Sequence, residues 1–156
     1  MVKNIFCAYS AYTNKTYKAK DTQSCSFVLG VYPGYDHNNA PSASDAVSDS
    51  KVKSFDIFAA DINNTIKYLY DIGCIRSQIP FILTPVKAIY GVNHGCPQYG
   101  EDCYKFETDS NIKYDKKEQW VEDCMVIATY LKSKYKQFSL TVIFTDFNGK
   151  KRMVCI

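Results

Sequence analysis

Residues 115–135 read DKKEQWVEDCMVIATYLKSKY and carry the clearest helical pattern of the chain. Apolar side chains recur in this stretch at alternating steps of three and four residues, which places them on one face of a helix. They are Val121, Cys124, Ala128, Leu131 and Tyr135. Asp115 and Glu118 have the spacing of a capping box, in which two side chains satisfy free N–H groups at the start of a helix. We therefore predict a helix over 115–135 with Asp115 as its N-cap.

A β-hairpin is predicted directly after this helix, over residues 138–156. From Phe138 onward, apolar and polar residues at first alternate, as they do in a strand with one buried face. Asn148 and Gly149 are typical of a two-residue turn between antiparallel strands. The helix is therefore expected to be followed by a strand, a turn and a second strand.

The preceding residues predict one more helix and several strands. The helical pattern covers residues 54–72, and Gly73 follows it as a stop signal. β-Forming residues bounded by turn signals predict the strands. These segments are 3–12, 24–32, 79–91 and a returning hairpin arm at 103–106. Long polar loops are predicted over 33–50 and 92–100, and Pro85 favours an edge position or a break for the strand that contains it.

This order of elements predicts an α+β fold, with a mostly antiparallel sheet and two main helices packed on one face. A ferredoxin-like arrangement of the segments from the second strand onward is one form it can take. The length of 156 residues suits a single compact domain over 1–156. Apolar residues make up 46% of the chain and charged residues 22%, which is enough apolar content for a core and argues against global disorder.

Charge and hydropathy exclude several classes of partner. The net charge is only +3, and no basic stripe is long enough to hold a phosphate backbone, so we expect no strong nucleic-acid binding. No run approaches the roughly 20 apolar residues of a membrane-spanning helix, and the first ten residues lack the apolar centre of a signal peptide. We therefore expect no membrane association and a cytoplasmic location in the producing or host cell.

The seven cysteines are odd in number and irregular in spacing. Several lie inside apolar periodic segments, where a reduced cysteine acts as a small hydrophobic residue. A disulfide framework is not expected in a cytosolic chain of this size. We therefore predict that the thiols are reduced.

The residues around the third strand and the loop after it combine the groups that a small polar ligand needs. Aromatic rings that could stack on a base, amide side chains and a lysine stand beside glycines that expose backbone N–H groups. The candidate ligand-binding residues are Phe81, Lys87, Tyr90, Asn93 and Tyr99. Because alternate strand residues point to opposite faces, Lys87 and Tyr90 need not face the same pocket.

A cysteine-dependent enzyme is the competing hypothesis. Cys96 would be the nucleophile, with His94 or His37 as its base, and a neighbouring carboxylate at Glu101 or Asp102 would orient that base. Catalytic pairs of this kind usually come from distant segments of a chain. We therefore predict no catalytic residue and keep the enzyme as the alternative.

A metal site is a further interpretation of the same loop, with His94, Cys96 and Cys103 as ligands. One residue separates His94 from Cys96, and six separate Cys96 from Cys103. Structural zinc sites usually contain closely spaced ligand pairs and need a fourth ligand, which this pattern does not supply. We therefore expect neither a metal nor a cofactor.

These observations predict a small, non-catalytic binding protein. Its partner would be a nucleotide-like small molecule that it sequesters, or another protein, and the sequence leaves the oligomeric state open. Lysine outnumbers arginine by 17 to two, which is typical of an AT-rich coding genome. Together with the small size, this suggests an accessory protein of a phage or mobile element, with an anti-defence or immunity role.

Overall fold

The computed structural model describes residues 22–31, 55–90, 100–110 and 116–156. The strand predicted at 3–12, the loop at 33–50 and nearly all of the loop at 92–100 lie outside these ranges. In the described part of the chain, five strands alternate with two helices. They are β1 (Thr22–Gly30), α1 (Phe55–Asp71), β2 (Ile82–Ala88), β3 (Glu101–Asp109), α2 (Lys117–Lys134), β4 (Thr141–Asp146) and β5 (Lys151–Cys155).

The described strands form one antiparallel sheet in the order β2-β3-β1-β4-β5. The α+β prediction is therefore confirmed. From β1 to β4 the described elements follow the connectivity β-α-β-β-α-β, which is compatible with the ferredoxin-like arrangement considered above. Within the described sheet, β1 is central and paired on both sides, and β2 and β5 are the edge strands.

Both helices cover the same face of the sheet. Phe27 of β1 lies opposite Phe106 on one side and Val142 on the other, so these three residues share one face. On the same face, Phe58 of α1 stacks on Tyr104, with ring centroids 4.1 Å apart. The core continues at the other helix, where Trp120 of α2 makes an edge contact with Phe144. This arrangement confirms the predicted packing of two helices on one side.

Two local predictions are confirmed: the edge position of Pro85 and the helix stop at Gly73. Pro85 lies within β2, which among the described strands pairs only with β3, so the position that lacks an N–H is on an edge strand of the described sheet. Gly73 follows α1 with φ of +74°, and the N–H of Cys74 donates to the Leu69 carbonyl oxygen at 2.8 Å. This is the left-handed helix end that glycine favours.

The capping-box prediction is wrong. Helix α2 begins at Lys117, and its N-cap is Lys116, an extended residue that makes no side-chain capping hydrogen bond. The helix is instead held from its side by a segment that follows α1. The Asp123 carboxylate, only 2% exposed, accepts the Arg76 backbone N–H at 2.7 Å and a guanidinium N–H at 3.0 Å. The same guanidinium pairs with the partly exposed Glu122 at 2.7 Å.

The hairpin between β4 and β5 is confirmed, but its turn is one residue longer than predicted. Beyond the Thr145–Lys151 pair, the Asp146 N–H donates to the Lys150 carbonyl oxygen at 3.0 Å, so the loop consists of the three residues 147–149. Gly149 has a φ of +76°, whereas Asn148 is not in the left-handed region that a two-residue type I′ turn requires. The Asp146 carboxylate accepts the N–H groups of Asn148 and Lys150, both at 2.9 Å, and this stabilises the longer loop.

Candidate functional site

A group of polar side chains lies at the sheet end where β1 and β2 finish and β3 begins. Gly30 is paired with Cys103, and Ala88 is paired with Glu101. Strand alternation places Glu101 and Cys103 on the face opposite the two helices.

Glu101 is the central residue of this group, and it is 7% exposed. Its Oε2 accepts a hydrogen bond from the Tyr90 hydroxyl at 3.1 Å. Among the described residues, no lysine or arginine forms an ion pair with it. Burial raises the pKa of Glu101 above its ordinary value, the Tyr90 hydrogen bond lowers it, and the charge of Asp102 raises it further. A carboxylate kept out of water in this way favours a cationic partner.

The space directly over Gly30 is occupied by side-chain oxygens from two other segments. A methyl group on this residue would lie 2.3 Å from Glu101 Oε1 and 2.4 Å from Gln137 Oε1. Gln137 comes just after α2, and its Nε2 donates to the Tyr135 carbonyl oxygen at 3.1 Å. The absence of a side chain at Gly30 therefore lets two acceptor oxygens from distant segments converge on one point.

The neighbouring Cys103 is unsuited to act as a nucleophile. It is buried, and burial together with the charge of Glu101 raises the pKa of its thiol to about 12. A thiol attacks as its thiolate, and at neutral pH that form is scarcely populated at such a pKa. The chemistry of this site therefore depends on carboxylate, phenol and amide groups.

The structure brings only some of the predicted site residues to this end of the sheet. Tyr90 contacts Glu101, and Lys87 forms a half-exposed ion pair with Asp102 at 2.5 Å. Asp102 lies on the same face as Tyr104, so Lys87, which is paired with Asp102, belongs to the helix-covered side of the sheet. Tyr90 instead hydrogen-bonds to Glu101, which lies on the opposite face. This agrees with the expectation that the two need not share a pocket.

Phe81 lies at the opposite end of β2. It packs against the core, with its ring centroid 5.8 Å from those of both Phe27 and Phe106. At roughly 3.3 Å per residue, it is about 20 Å from Lys87 along the strand. The remaining predicted residues, Asn93 and Tyr99, lie outside the described ranges, as do Cys96, His94 and His37 of the enzyme hypothesis.

The described residues contain neither a metal-binding cluster nor a membrane-spanning helix. Within them, no three histidine, cysteine, aspartate or glutamate side chains are close enough together to hold a metal ion. Neither described helix is long and apolar enough to cross a bilayer.

Sequence reasoning missed the residues that converge here. Glu101 was considered only as a group that orients a histidine, and Gly30 and Gln137 were not considered. Gly30 carried a usable signal, because an isolated glycine inside a strand pattern often marks a close approach of other atoms to the backbone. Gln137 carried no such signal, since nothing in its own neighbourhood of the sequence points to β1.

Comparison with solved structures shows a fold shared with a phage enzyme. The chain resembles phage SAM lyase in complex with S-methyl-5′-thioadenosine, with a TM-score of 0.53, 13% identity, and coverage of 92% of this chain and 95% of that one. It resembles the apo state of phage SAM lyase equally, covering 90% of this chain and 94% of that one. No known protein family and no curated protein matches the sequence. At this identity the likeness concerns the fold, and one of these neighbours holds a nucleotide-like ligand.

Proposed function

We propose that this protein binds a sulfonium nucleoside of the S-adenosylmethionine type at the Glu101 end of its sheet and cleaves it. The observation that carries the proposal is the buried Glu101 carboxylate, which pairs with no cation among the described residues. Leaving a carboxylate unpaired in the interior is costly, and a bound cation offsets that cost. The carboxylate is therefore suited to hold a positively charged ligand.

The charges at the site limit the class of nucleoside that can bind there. Glu101 and Asp102 are adjacent, and the one described cation beside them, Lys87, is paired with Asp102. Such a site repels the phosphates of an ordinary nucleotide and favours a nucleoside that is itself cationic. S-adenosylmethionine carries a sulfonium and an ammonium group, and the fold shared with a phage SAM lyase supports this choice.

Cleavage would follow from the chemistry of the sulfonium. When the bond between sulfur and the amino-acid chain breaks, its electron pair moves to sulfur and S-methyl-5′-thioadenosine leaves as a neutral thioether. As the carbon–sulfur bond breaks, this carbon forms a new bond to an oxygen of the fragment's own carboxylate, which closes a lactone without any proton transfer. A step that removes charge is favoured where the site excludes water.

Sequestration without cleavage is the second candidate, as the sequence suggested. It is favoured by the unreactive thiol of Cys103, which leaves the described part of the site without a nucleophile. Either activity would lower the concentration of free ligand in a host cell. Both therefore fit an accessory protein of a phage or mobile element acting in the host cytoplasm.

The test is to incubate the protein with S-adenosylmethionine, denature it, and separate the released nucleosides by chromatography. We expect S-methyl-5′-thioadenosine to accumulate, and we expect Glu101→Gln to lower its rate of formation at least tenfold because the amide cannot hold a cation. The matched control is Glu107→Gln, on the same strand but half exposed. Recovery of bound, intact ligand would support sequestration, and failure to bind at all would refute the proposal.

A further inference from the structure

The two edges of the described sheet differ in their capacity to accept a further strand. At the β2 edge, Pro85 removes one N–H group from the strand, and proline is typical of edges that resist pairing. Strand β5 contains no proline, and its pairing with β4 is regular over residues 151–155. The β5 edge therefore lacks the backbone interruption that the β2 edge has.

The phase of the hydrogen bonds shows which backbone groups of β5 point outward. Leu140 and Ile156 exchange both of their backbone hydrogen bonds at 2.9 Å, and the Asp146 N–H donates to the Lys150 carbonyl oxygen at 3.0 Å. Because bonded pairs alternate along an antiparallel ladder, the even-numbered residues of β5 bond to β4. The N–H and C=O groups of the residues between them point away from β4. These residues are Lys151, Met153 and Cys155.

These outward backbone groups lie on an exposed part of the molecule. Within the described ranges, no residue forms a hydrogen bond with the outward backbone groups of Lys151, Met153 or Cys155. The side chains of the same three residues are exposed, and that of Met153 is 72% exposed. Each of the three therefore presents one donor and one acceptor to an added strand.

Lysines without an acidic partner surround this edge. Elsewhere in the described fold, ion pairs are formed by Lys67, Lys87, Lys105 and Lys134. In the described part of the chain, no carboxylate pairs with the lysines at the starts of α2 and β5, which are Lys116, Lys117, Lys150 and Lys151. The two starts lie near each other, because Trp120 contacts Phe144, which is paired with Arg152. The positive end of the α2 dipole adds to the potential of these lysines.

The charges and the backbone groups decide between the candidate partners of this edge. A second copy paired through β5 would bring two sets of lysines together, and lysine on an edge strand opposes such self-pairing. An acidic strand is instead favoured, because opposite charges on neighbouring strands stabilise a sheet. A nucleic-acid backbone has the matching charge, but it lacks the alternating donors and acceptors that pair with a strand.

We propose that β5 is a docking edge for an extended, acidic segment of another protein, which adds a strand to the described sheet. Main-chain hydrogen bonds to Lys151, Met153 and Cys155 hold the segment, and Lys150 and Lys151 select for glutamate or aspartate. The proposal does not rest on the proposed function, because β1 and β4 separate β5 from the strand that carries Glu101. It assigns a surface to the protein partner that the sequence left open.

Fluorescence anisotropy with a short labelled peptide of alternating glutamate and valine tests the proposal. We expect saturable binding to the wild-type protein. Two matched probes should bind about tenfold more weakly or not at all: the same peptide with lysine in place of glutamate, and the same peptide with its pairing N–H groups methylated. Absence of saturable binding, or equal binding of the methylated peptide, would overturn the proposal. Tighter binding of a single-stranded oligonucleotide of equal charge would show that the edge binds nucleic acid instead.

Two variants test whether the peptide binds at β5. Met153→Pro removes an outward N–H that makes no bond to β4, so we expect about tenfold weaker peptide binding with little change in thermal unfolding. Lys151→Glu tests the same edge without altering its backbone, and it should weaken peptide binding by a similar factor. The control is Lys136→Glu, which reverses the charge of an exposed lysine just after α2. If Lys151→Glu bound the peptide as tightly as the control does, the proposal would be wrong.

Discussion

Two buried carboxylates, Asp123 and Glu101, have opposite surroundings in this protein. Asp123 accepts the backbone N–H of Arg76 and pairs with its guanidinium, so both its charge and its oxygen atoms are satisfied within the chain. Glu101 is nearly as buried, but the Tyr90 hydroxyl is its one hydrogen-bond donor among the described side chains. The first carboxylate holds the segment after α1 against α2, and the second lies against Gly30 at the end of the sheet.

The contrast separates a structural role from a binding role. A buried charge that is paired inside the fold stabilises one arrangement of the chain, and removing either partner is costly. A buried charge that lacks a cation destabilises the fold until a ligand supplies one. Opposite effects on stability are therefore expected when the two carboxylates are replaced.

The largest effect is expected for Asp123→Ala. This change removes the hydrogen bonds to Arg76 and leaves the guanidinium with only its more exposed partners, so we expect the free energy of unfolding to fall by about 3 kcal/mol. Urea unfolding measures it. Glu122→Ala removes the half-exposed partner of the same guanidinium and should cost about 1 kcal/mol or less. Equal losses for the two variants would show that the buried Asp123 contact stabilises the fold no more than the half-exposed Glu122 contact does.

A smaller effect of opposite sign is expected for Glu101→Gln. Below its ordinary pKa of 4.5, Glu101 is protonated in both the folded and the unfolded chain. As the pH rises toward its raised folded-state pKa, the unfolded chain ionises more easily, so the protein loses stability. Glutamine does not ionise, so the variant should be more stable than the wild type at pH 7.

Thermal unfolding measured across a pH series tests whether Glu101→Gln is more stable than the wild type at pH 7. The difference between wild type and Glu101→Gln should close below about pH 4.5, the ordinary pKa of this carboxyl. A variant that is less stable than the wild type at pH 7 would mean that Glu101 already has a compensating partner.

The smallest effect is expected for Tyr90→Phe. The Tyr90 hydroxyl donates to Glu101 and lowers the pKa of that carboxyl, so its removal raises this pKa further. Binding of S-adenosylmethionine should weaken about threefold at neutral pH, and the pH below which binding is lost should move upward. Titration calorimetry at several pH values measures both. Tyr70→Phe, on the exposed side of α1, is the control, and an unchanged pH profile for Tyr90→Phe would remove Tyr90 from the site.

Much of the fold could be predicted because its signals are local. The apolar stripe of α2, the stop at Gly73 and the edge position of Pro85 all depend on residues within a few positions of one another. The errors also have local causes. Asp115 and Glu118 matched a capping box, but the helix starts after an extended Lys116 and is secured instead by Arg76 from a distant segment. Asn148 and Gly149 matched a two-residue turn, but the Asp146 carboxylate stabilises a longer loop.

The candidate site was predicted only in part. Tyr90 and Lys87 lie near the same end of β2, where Tyr90 contacts Glu101 and Lys87 pairs with Asp102, and their role in ligand binding stays a prediction. Phe81 was grouped with them by composition alone, and the length of the strand separates it from them. Glu101 stood in the predicted segment, but its burial depends on residues that the local pattern does not specify.

The sequence by itself determined the fold class and the approximate positions of the helices and strands that the structure describes. These features follow from periodicities of 2 and 3.6 residues, which any single segment displays without its neighbours. Only the tertiary structure decided that Gly30, Glu101 and Gln137 converge. Strand register brings Glu101 beside Gly30, and the sharp end of α2 carries Gln137 across β1. Such convergence depends on distances between segments far apart in the chain, and no local pattern of residues encodes those distances.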